Sequence, residues 1–307
     1  MSTIATANRT TPYVFVLPAL AVLAFGLLYP IGYMVYASFL DWSPSQRIGE
    51  ADWVGWRNYA RLLADPNFRE SFTVTLTFAG AVVAIEMVLG VGLALLLDRR
   101  LRGMSVLRTL FILPMMIAPI VVGLIWRYMY DPTAGVLNQT LRALGLEPVP
   151  WLSSPDWALA SIVIADVWQW TPFVFILSLA ALQSLPRSAL EASRIDGATP
   201  WQQVIHIKLP LMMPVLVVTA LLRLIDAFKV LEVVLVMTNG GPGLSTEILA
   251  LRIQRTVSEF QQLGVGSAMS VYLLALVMVI TLAMFAFSRA RERRLAAQRL
   301  RIEERTA

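Results

Sequence analysis

Polar side chains inside a long apolar run are costly, so those that occur there are the first candidates for chemistry. The run from Trp157 to Leu182 carries Asp166, Gln169 and Trp170 at i, i+3 and i+4, with Trp168 beside them. On a helix the three share a face, where a carboxylate and an amide can hold hydroxyl groups and an indole can lie under the apolar side of a ring. The same residues also fit an aromatic belt at a membrane boundary. The run from Leu209 to Met237 carries Arg223, Asp226, Lys229 and Glu232, alternating in sign at intervals of three. Neighbouring pairs can meet on one helix, so the ladder reads either as an ion chain facing other helices or as the wall of a water-lined path. Glu86, in the run from Ser71 to Leu97, is a lesser candidate.

Enzymatic chemistry is poorly supplied by comparison. His206 is the only histidine and cysteine is absent, so neither a histidine-based triad nor a multi-histidine or thiolate metal site can be assembled. No GxxxxGK[ST] loop occurs, which leaves the chain without a nucleotide cradle of its own. The glycine-rich Asn239-Gly-Gly-Pro-Gly243 follows an apolar run and reads as a turn, with Asn239 as a further polar candidate beside the ladder. The expectation is a chain that is not itself an enzyme and holds no cofactor or metal.

The elements that must position these residues follow from composition. Of 307 residues, 57% are hydrophobic and only 15% charged, with a mean hydropathy of +0.67, which excludes an ordinary soluble domain. Six apolar runs are long enough for a bilayer: Pro12 to Phe39, Ser71 to Leu97, Leu107 to Tyr130, Trp157 to Leu182, Leu209 to Met237 and Leu263 to Ser288. Backbone polar groups in lipid must be bonded within their own segment, so an all-α membrane bundle of six helices is predicted. The first run is longer than the apolar core of a secretory signal and reads as a retained anchor. The stretches 41–68 and 131–155 each have room for one short surface helix, and no strand pattern stands out.

Six crossings place both termini on one side. With the termini inside, Arg9, the arginines at 99, 100, 102 and 108, the loop cations Arg187, Arg194 and Lys208, and seven arginines of the tail 289–307 make fifteen basic residues inside, against eight outside. The asymmetry predicts cytoplasmic termini, and the tail reads as a topology determinant near anionic lipid rather than an arm for nucleic acid. The chain 1–307 shows no linker or second soluble domain, so one transmembrane domain is expected.

The connection at about 187–208 has more grammar than a simple turn needs. Ser188-Ala-Leu-Glu191 has the form of a capping box that starts a helix, and Gly197 suits the left-handed residue that ends one. Thr199-Pro-Trp-Gln202 is a second capping box with proline in the first turn. Two short helices at an angle are predicted, presenting Ala189, Leu190, Ala192 and Ile195 to the cytosol, where exposed apolar side chains call for a partner.

Glu191-Ala192-Ser193, Gly197, Ile207 and Leu209-Pro210 resemble the EAA-x3-G-x9-I-x-L-P signature of the membrane subunits of binding-protein-dependent ABC importers. The spacing agrees throughout; serine stands at the third position, and Val204 stands where sugar permeases often carry phenylalanine. The segments "DGATPW", "TPFVFILSLAALQSLP" and "LLRLIDAFKVLEVVLVMTNGGPGLSTE" are similar to the carbohydrate-uptake branch, the maltose and glycerol-3-phosphate permeases.

The resemblance implies a multi-pass type I importer subunit of the bacterial cytoplasmic (inner) membrane that conducts a sugar or polyol. It also implies a second, different permease chain, an extracytoplasmic solute-binding protein and two ATPase subunits, which bind the ATP and magnesium. Leu190, Glu191, Ala192, Ser193, Ile195, Asp196, Gly197 and Ala198 would form the coupling segment docked on the ATPase. Another solute, such as a glycerol phosphate or a peptide, stays open. So does an ion-coupled secondary transporter, although the inverted repeats expected of one are not found.

The topology is testable because the chain has no cysteine. Single cysteines at Ser45 and Ser154 should react with an impermeant thiol reagent applied to intact cells, and one at Ala296 only after permeabilisation. Labelling of the Ala296 variant in intact cells would reverse the orientation.

Overall fold

The computed structural model describes residues 11–98 and 103–306. Arg9, Arg99, Arg100 and Arg102 of the charge count, and the tail side chains from Arg291 onward, lie outside the described residues. In chain order the elements are α1 (Thr11–Ala37), the two-residue strands β1 (Leu40–Asp41) and β2 (Asp52–Trp53), α2 (Arg57–Ala64), α3 (Pro66–Leu97), α4 (Met104–Ile112), α5 (Pro119–Met129), α6 (Val136–Ala143) and α7 (Pro155–Gln183). There follow α8 (Arg187–Ile195), α9 (Pro200–Gln203), α10 (Leu209–Ala227), α11 (Glu232–Met237), α12 (Leu249–Ser258) and α13 (Leu263–Thr306).

Among the described residues five helical stretches are long and apolar enough to cross a bilayer: Val16–Ala37, α3, α7, Pro200–Ala227 and Leu263–Ala290. The expected third run, Leu107 to Tyr130, is not one straight helix. It breaks between Met116 and Pro119, and its halves Arg108–Met116 and Pro119–Met129 are bent by 100°. Pro114 and Pro119 explain the break, since each removes a backbone donor and proline disfavours a helical residue before it. The sequence reading was therefore too simple here, and a sixth crossing exists only if this bent pair counts as one span.

The predicted surface helices appear as α2 and α6, while α12 was not anticipated. The β1–β2 ladder, with Leu40 opposite Trp53 and Asp41 opposite Asp52, is a small β element that the sequence did not signal. The last helix continues through the apolar run into the tail as one 44-residue segment.

The described residues divide into two compact units, drawn from 11–65 with 253–274 and from 66–252 with 275–306. In the first, Asn58 organises the hairpin: its buried side-chain amide donates to the carbonyls of Ser38 and Leu40, both at 2.9 Å. The Ser38 and Tyr59 hydroxyls share a buried hydrogen bond of 2.6 Å. The Gly264 N–H donates to the Trp42 carbonyl at 3.1 Å, and a Cβ on Gly264 would collide with the Leu40 carbonyl. Only glycine allows the start of α13 to sit this close to the hairpin.

The core of the second unit is the pairing of α3 with α7, with α10 laid against both. Ala94, Phe175 and Leu179 form one buried cluster, and Ala181, Leu182, Met212 and Leu216 another. Lipid tails are as apolar as leucine, so close backbone approach and dispersion rather than burial from water hold such helices together. Gly90 provides that approach, because a Cβ there would lie 2.6 Å from a Val174 methyl and 3.0 Å from the Phe175 backbone nitrogen. Beyond α5, Asp131 closes the turn by accepting from the Ala134 N–H and from the Thr133 hydroxyl and N–H. These donors hold its carboxyl below the usual carboxylate range.

Gly90→Val should overfill the α3–α7 contact and destabilise the detergent-solubilised protein by about 1–3 kcal/mol, read as a lower thermal midpoint. Gly80→Ala, on the same helix with nothing within 4 Å of the added carbon, should leave the midpoint unchanged. Equal behaviour of the two variants would show that the contact does not hold the unit together.

Candidate functional site

Three helices bring their charges to one guanidinium. Arg223 of α10 donates from Nε to Glu86 Oε2 at 2.6 Å and from Nη2 to Glu86 Oε1 at 2.8 Å, a two-point grip on a carboxylate of α3. Nη2 also donates to Asp166 Oδ2 of α7 at 2.8 Å, and Nη1 to Asp226 Oδ2 one turn along α10, again at 2.8 Å. The Trp170 ring lies against the guanidinium, 5.0 Å from its carbon. Arg223, Glu86 and Asp166 are buried. Arginine suits this position because its planar fork serves several carboxylates at once and it stays charged.

This geometry settles part of the ladder. Arg223–Asp226 and Asp226–Lys229 are ion pairs at 2.8 and 3.7 Å. Helix α10 ends at Ala227, however, so Lys229 and Glu232 do not share a helical face as the sequence suggested. Glu232 instead opens α11, where a carboxylate favours the helix N-terminus. Lys229 is 66% exposed. Asn239 takes a left-handed backbone, φ 48°, in the turn after α11, and its N–H donates to the Val234 carbonyl at 2.9 Å.

Glu86, the lesser candidate in the sequence, is a principal partner. The signal was available, since it is the only charged residue between Ser71 and Leu97.

The other sequence candidates separate. The buried amide of Gln169 donates from Nε2 to the Ile117 carbonyl at 2.9 Å, at the break of the bent pair, where no helical partner is available to that carbonyl. Trp168 points elsewhere and meets Trp126 of α5 edge to face at 5.8 Å. These two indoles line an apolar cavity of about 630 Å³ with Leu89, Phe111, Ile164 and Thr171. On the proposed hydroxyl-binding face, Asp166 and Trp170 thus meet Arg223 and the Gln169 amide nitrogen meets Ile117, while the buried Gln169 Oε1 has no hydrogen-bond partner among the described residues; Trp168 lines the cavity instead. Arg127, absent from the sequence candidates, donates to the Val236 carbonyl at 2.9 Å and ties α5 to α11.

In the loop after α7, Gly197 has φ 79° as expected. The Ala198 N–H reaches the Ser193 carbonyl at 2.9 Å and the Gly197 N–H reaches that of Arg194 at 3.1 Å. This double closure is a Schellman cap, which satisfies the last carbonyls of α8 and turns the chain sharply. The Thr199 box is also present, with Gln202 N donating to Thr199 Oγ1 at 3.3 Å and Thr199 N to Gln202 Oε1 at 2.8 Å.

The Ser188 box is not formed. Helix α8 starts at Arg187 behind Pro186 with no side-chain cap, because Pro186 rather than Ser188 holds the capping position. Nor is the second short helix separate: α9 passes through a π turn, Val204–Lys208, into α10. Ile195 is 86% exposed and Leu190 half-buried. Glu191, Ala192 and Asp196 are exposed. Ser193, by contrast, is buried and donates to the Leu190 carbonyl, so it braces α8 from within.

Residues 86–297 match the family described as binding-protein-dependent transport system inner membrane component. The chain is 38% identical over 283 residues to the trehalose/maltose transport system permease protein MalF of Thermococcus litoralis, covering 91% of this chain and 94% of that one. It is 34% identical over 274 residues to the sulfoquinovosyl glycerol transport system permease protein SmoG of Agrobacterium fabrum, covering 89% of each. Its fold is similar to a chain of the bacterial alginate ABC transporter, solved in complex with alginate pentasaccharide-bound periplasmic protein. That TM-score is 0.78 at 23% identity, with 92% of this chain and 95% of the other covered.

Removing the guanidinium should strand two buried carboxylates. Arg223→Met is expected to cost about 3–5 kcal/mol in thermal or denaturant unfolding of the solubilised protein. Glu86→Gln/Asp166→Asn/Arg223→Met should recover most of that loss. A stable single variant would mean that the two carboxylates are satisfied without Arg223, by water or by taking up protons.

Proposed function

The chain belongs to the family of binding-protein-dependent transport system inner membrane components, and from that membership we propose how it works as the permease subunit of an ATP-driven sugar or polyol importer. The polypeptide crosses the inner membrane six times as one domain, counting the bent pair as a crossing, with both termini in the cytoplasm. The excess of basic residues in the inside segments supports this orientation. A second permease chain, an extracytoplasmic binding protein and two ATPase subunits complete the machine, and ATP is hydrolysed on the partner.

The observation that carries the reading is α8. It bears the Glu191-Ala192-Ser193…Gly197 pattern, ends in a Schellman cap and leaves Ile195 bare beside a rigid turn. Such a knob fits a groove on another protein better than it fits water. Leu190, Glu191, Ala192, Ile195, Asp196, Gly197 and Ala198 form its contact surface in this proposal, with Ser193 as the internal brace.

The solute class rests on the relatives, whose names specify trehalose and maltose or sulfoquinovosyl glycerol. Asp166 and Arg223 are bound to one another and the Gln169 amide nitrogen to the Ile117 carbonyl, so the solute is assigned to the side of α7 bearing Trp168. Indoles offer a flat apolar surface on which the apolar face of a sugar ring can lie.

The experiment compares Gly197→Val with Gly197→Asn. A Cβ at Gly197 meets nothing within 4 Å, so only the left-handed backbone opposes substitution. Valine loses about 1–2 kcal/mol there, while asparagine visits that conformation readily. Gly197→Val should insert and accumulate normally yet copurify poorly with the ATPase and fail in ATP-driven uptake, whereas Gly197→Asn should retain both. Ile195→Asp should weaken copurification without altering the fold. Wild-type uptake by both Gly197→Val and Ile195→Asp would overturn the coupling role.

A further inference from the structure

The first unit carries an aromatic surface that neither the ion knot nor the coupling loop uses. Phe39 stacks on Trp53, with centroids 5.3 Å apart and planes at 15°, and meets Trp56 edge-on at 5.1 Å. Tyr36 extends the group to 6.0 Å from Trp53, and Tyr59 closes it from below at 5.5 Å from Phe39. Trp53 and Trp56 are 63% and 70% exposed. Two large indoles presented this way on a rigid hairpin need a covering medium.

Their height relative to the helices is fixed by hydrogen bonds. The hairpin is tied to the end of α1 through Asn58 and the carbonyl of Ser38, and to the first turn of α13 through the Gly264 N–H on Trp42. The apolar stretches Val16–Ala37 and Leu263–Ala290 therefore end and begin at its base. Tyr36 belongs to the last turn of α1, whose apolar window is unburied along its length. The aromatic surface is thus continuous with a helix surface that hydrocarbon would cover. Arg57 and Asp41, joined at 2.8 Å and both exposed, bring full charge next to the indoles. Apolar ring faces, polar N–H and O–H edges and an adjacent ion pair match the chemistry of the headgroup–hydrocarbon boundary.

We propose that Tyr36, Trp53 and Trp56 form an interfacial anchor that seats the first unit in the phospholipid headgroup layer at the end of α1. The proposal rests on α1 and α13 being membrane spans and not on which side of the membrane the hairpin lies.

Depth-resolved quenching tests it. The full chain, with the subunits that copurify, is reconstituted in phosphatidylcholine vesicles carrying bromines at carbons 6 and 7 or at 11 and 12 of one acyl chain. Subtracting the emission of Trp53→Phe/Trp56→Phe isolates the two indoles among the nine in the chain. Phenylalanine preserves the ring stack. The difference emission should be quenched at least about twofold more by the shallow than by the deep bromines. Quenching by aqueous iodide with no response to bromine would overturn the anchor in favour of a water-facing surface. Protection from both quenchers would overturn it in favour of a protein partner, and stronger quenching by the deep bromines would overturn it by placing the rings in hydrocarbon. The emission of the remaining tryptophans reports bilayer insertion separately, and uptake assays report the permease role, so neither stands or falls with the anchor.

Discussion

An arginine that hydrocarbon cannot solvate must be answered by other side chains, and much of the second unit is arranged around that requirement. Glu86, Asp166 and Asp226 surround Arg223 and draw on three helices to do so. A two-point carboxylate grip with another carboxylate on the same nitrogen fixes rotation as well as distance, so α3, α7 and α10 are held in azimuth around a common centre. The Gly90–Val174 approach works only in that rotation, because turning α3 would replace glycine with a bulkier face. Charge and dispersion therefore select the same arrangement, and the charges supply specificity that lipid-like side chains lack.

The same constraint separates the two faces of α7. Going round the helix, Trp168 is about 200° from Asp166, so the indole that lines the cavity is nearly opposite the carboxylate that binds Arg223. One helix thus carries a polar, protein-filled side and an apolar side open to a volume of about 630 Å³. The cavity owes its shape to the bent pair, and the bend owes part of its hold to Gln169, whose amide donates to the carbonyl exposed at the break. A short polar motif in the sequence is in this way divided among three tasks: Asp166 binds charge, Gln169 holds the bend and Trp168 lines the space.

Much of this was legible in advance, for identifiable reasons. Long apolar runs announce helices because lipid leaves the backbone no alternative, and Gly197 announced the end of α8 because few other residues take its backbone angle. The Thr199 box was readable since its bonds are local. What failed was whatever depended on partners distant in sequence or on chain breaks. Glu86 lies 137 positions from Arg223, so nothing in its neighbourhood revealed that partner. The ladder's regular spacing hid the end of α10 at Ala227, and Ser188 looked like a cap although Pro186 had already fixed where α8 begins. The two prolines of the third run were visible as breakers, but their count could not give a 100° bend.

The connectivity gives the coupling proposal a mechanical consequence. Helix α8 joins α7 to the stretch that becomes α10, and these are two of the helices held by Arg223. From the ends of the loop, Asp166 lies roughly 25 Å up one leg and Arg223 roughly 35 Å up the other, at 1.5 Å per residue. A displacement applied to a loop between independent helices could be lost as relative sliding. Here the legs are tied deep in the apolar region, and α3 is tied to the same knot, so in the proposed reading a push on α8 is delivered to the three helices through α7, the leg that runs as one helix from Gln183 to Asp166. The yielding points are then the places without such ties: the π turn at Val204–Lys208 and the break between Ala227 and Glu232. Wide turns and helix breaks absorb backbone change at modest cost, whereas pulling Arg223 from its carboxylates would leave charge unsatisfied in a medium that cannot hydrate it. In the proposed reading, movement is transmitted where charge is buried and taken up where the helix is interrupted, which is the distribution a lever requires.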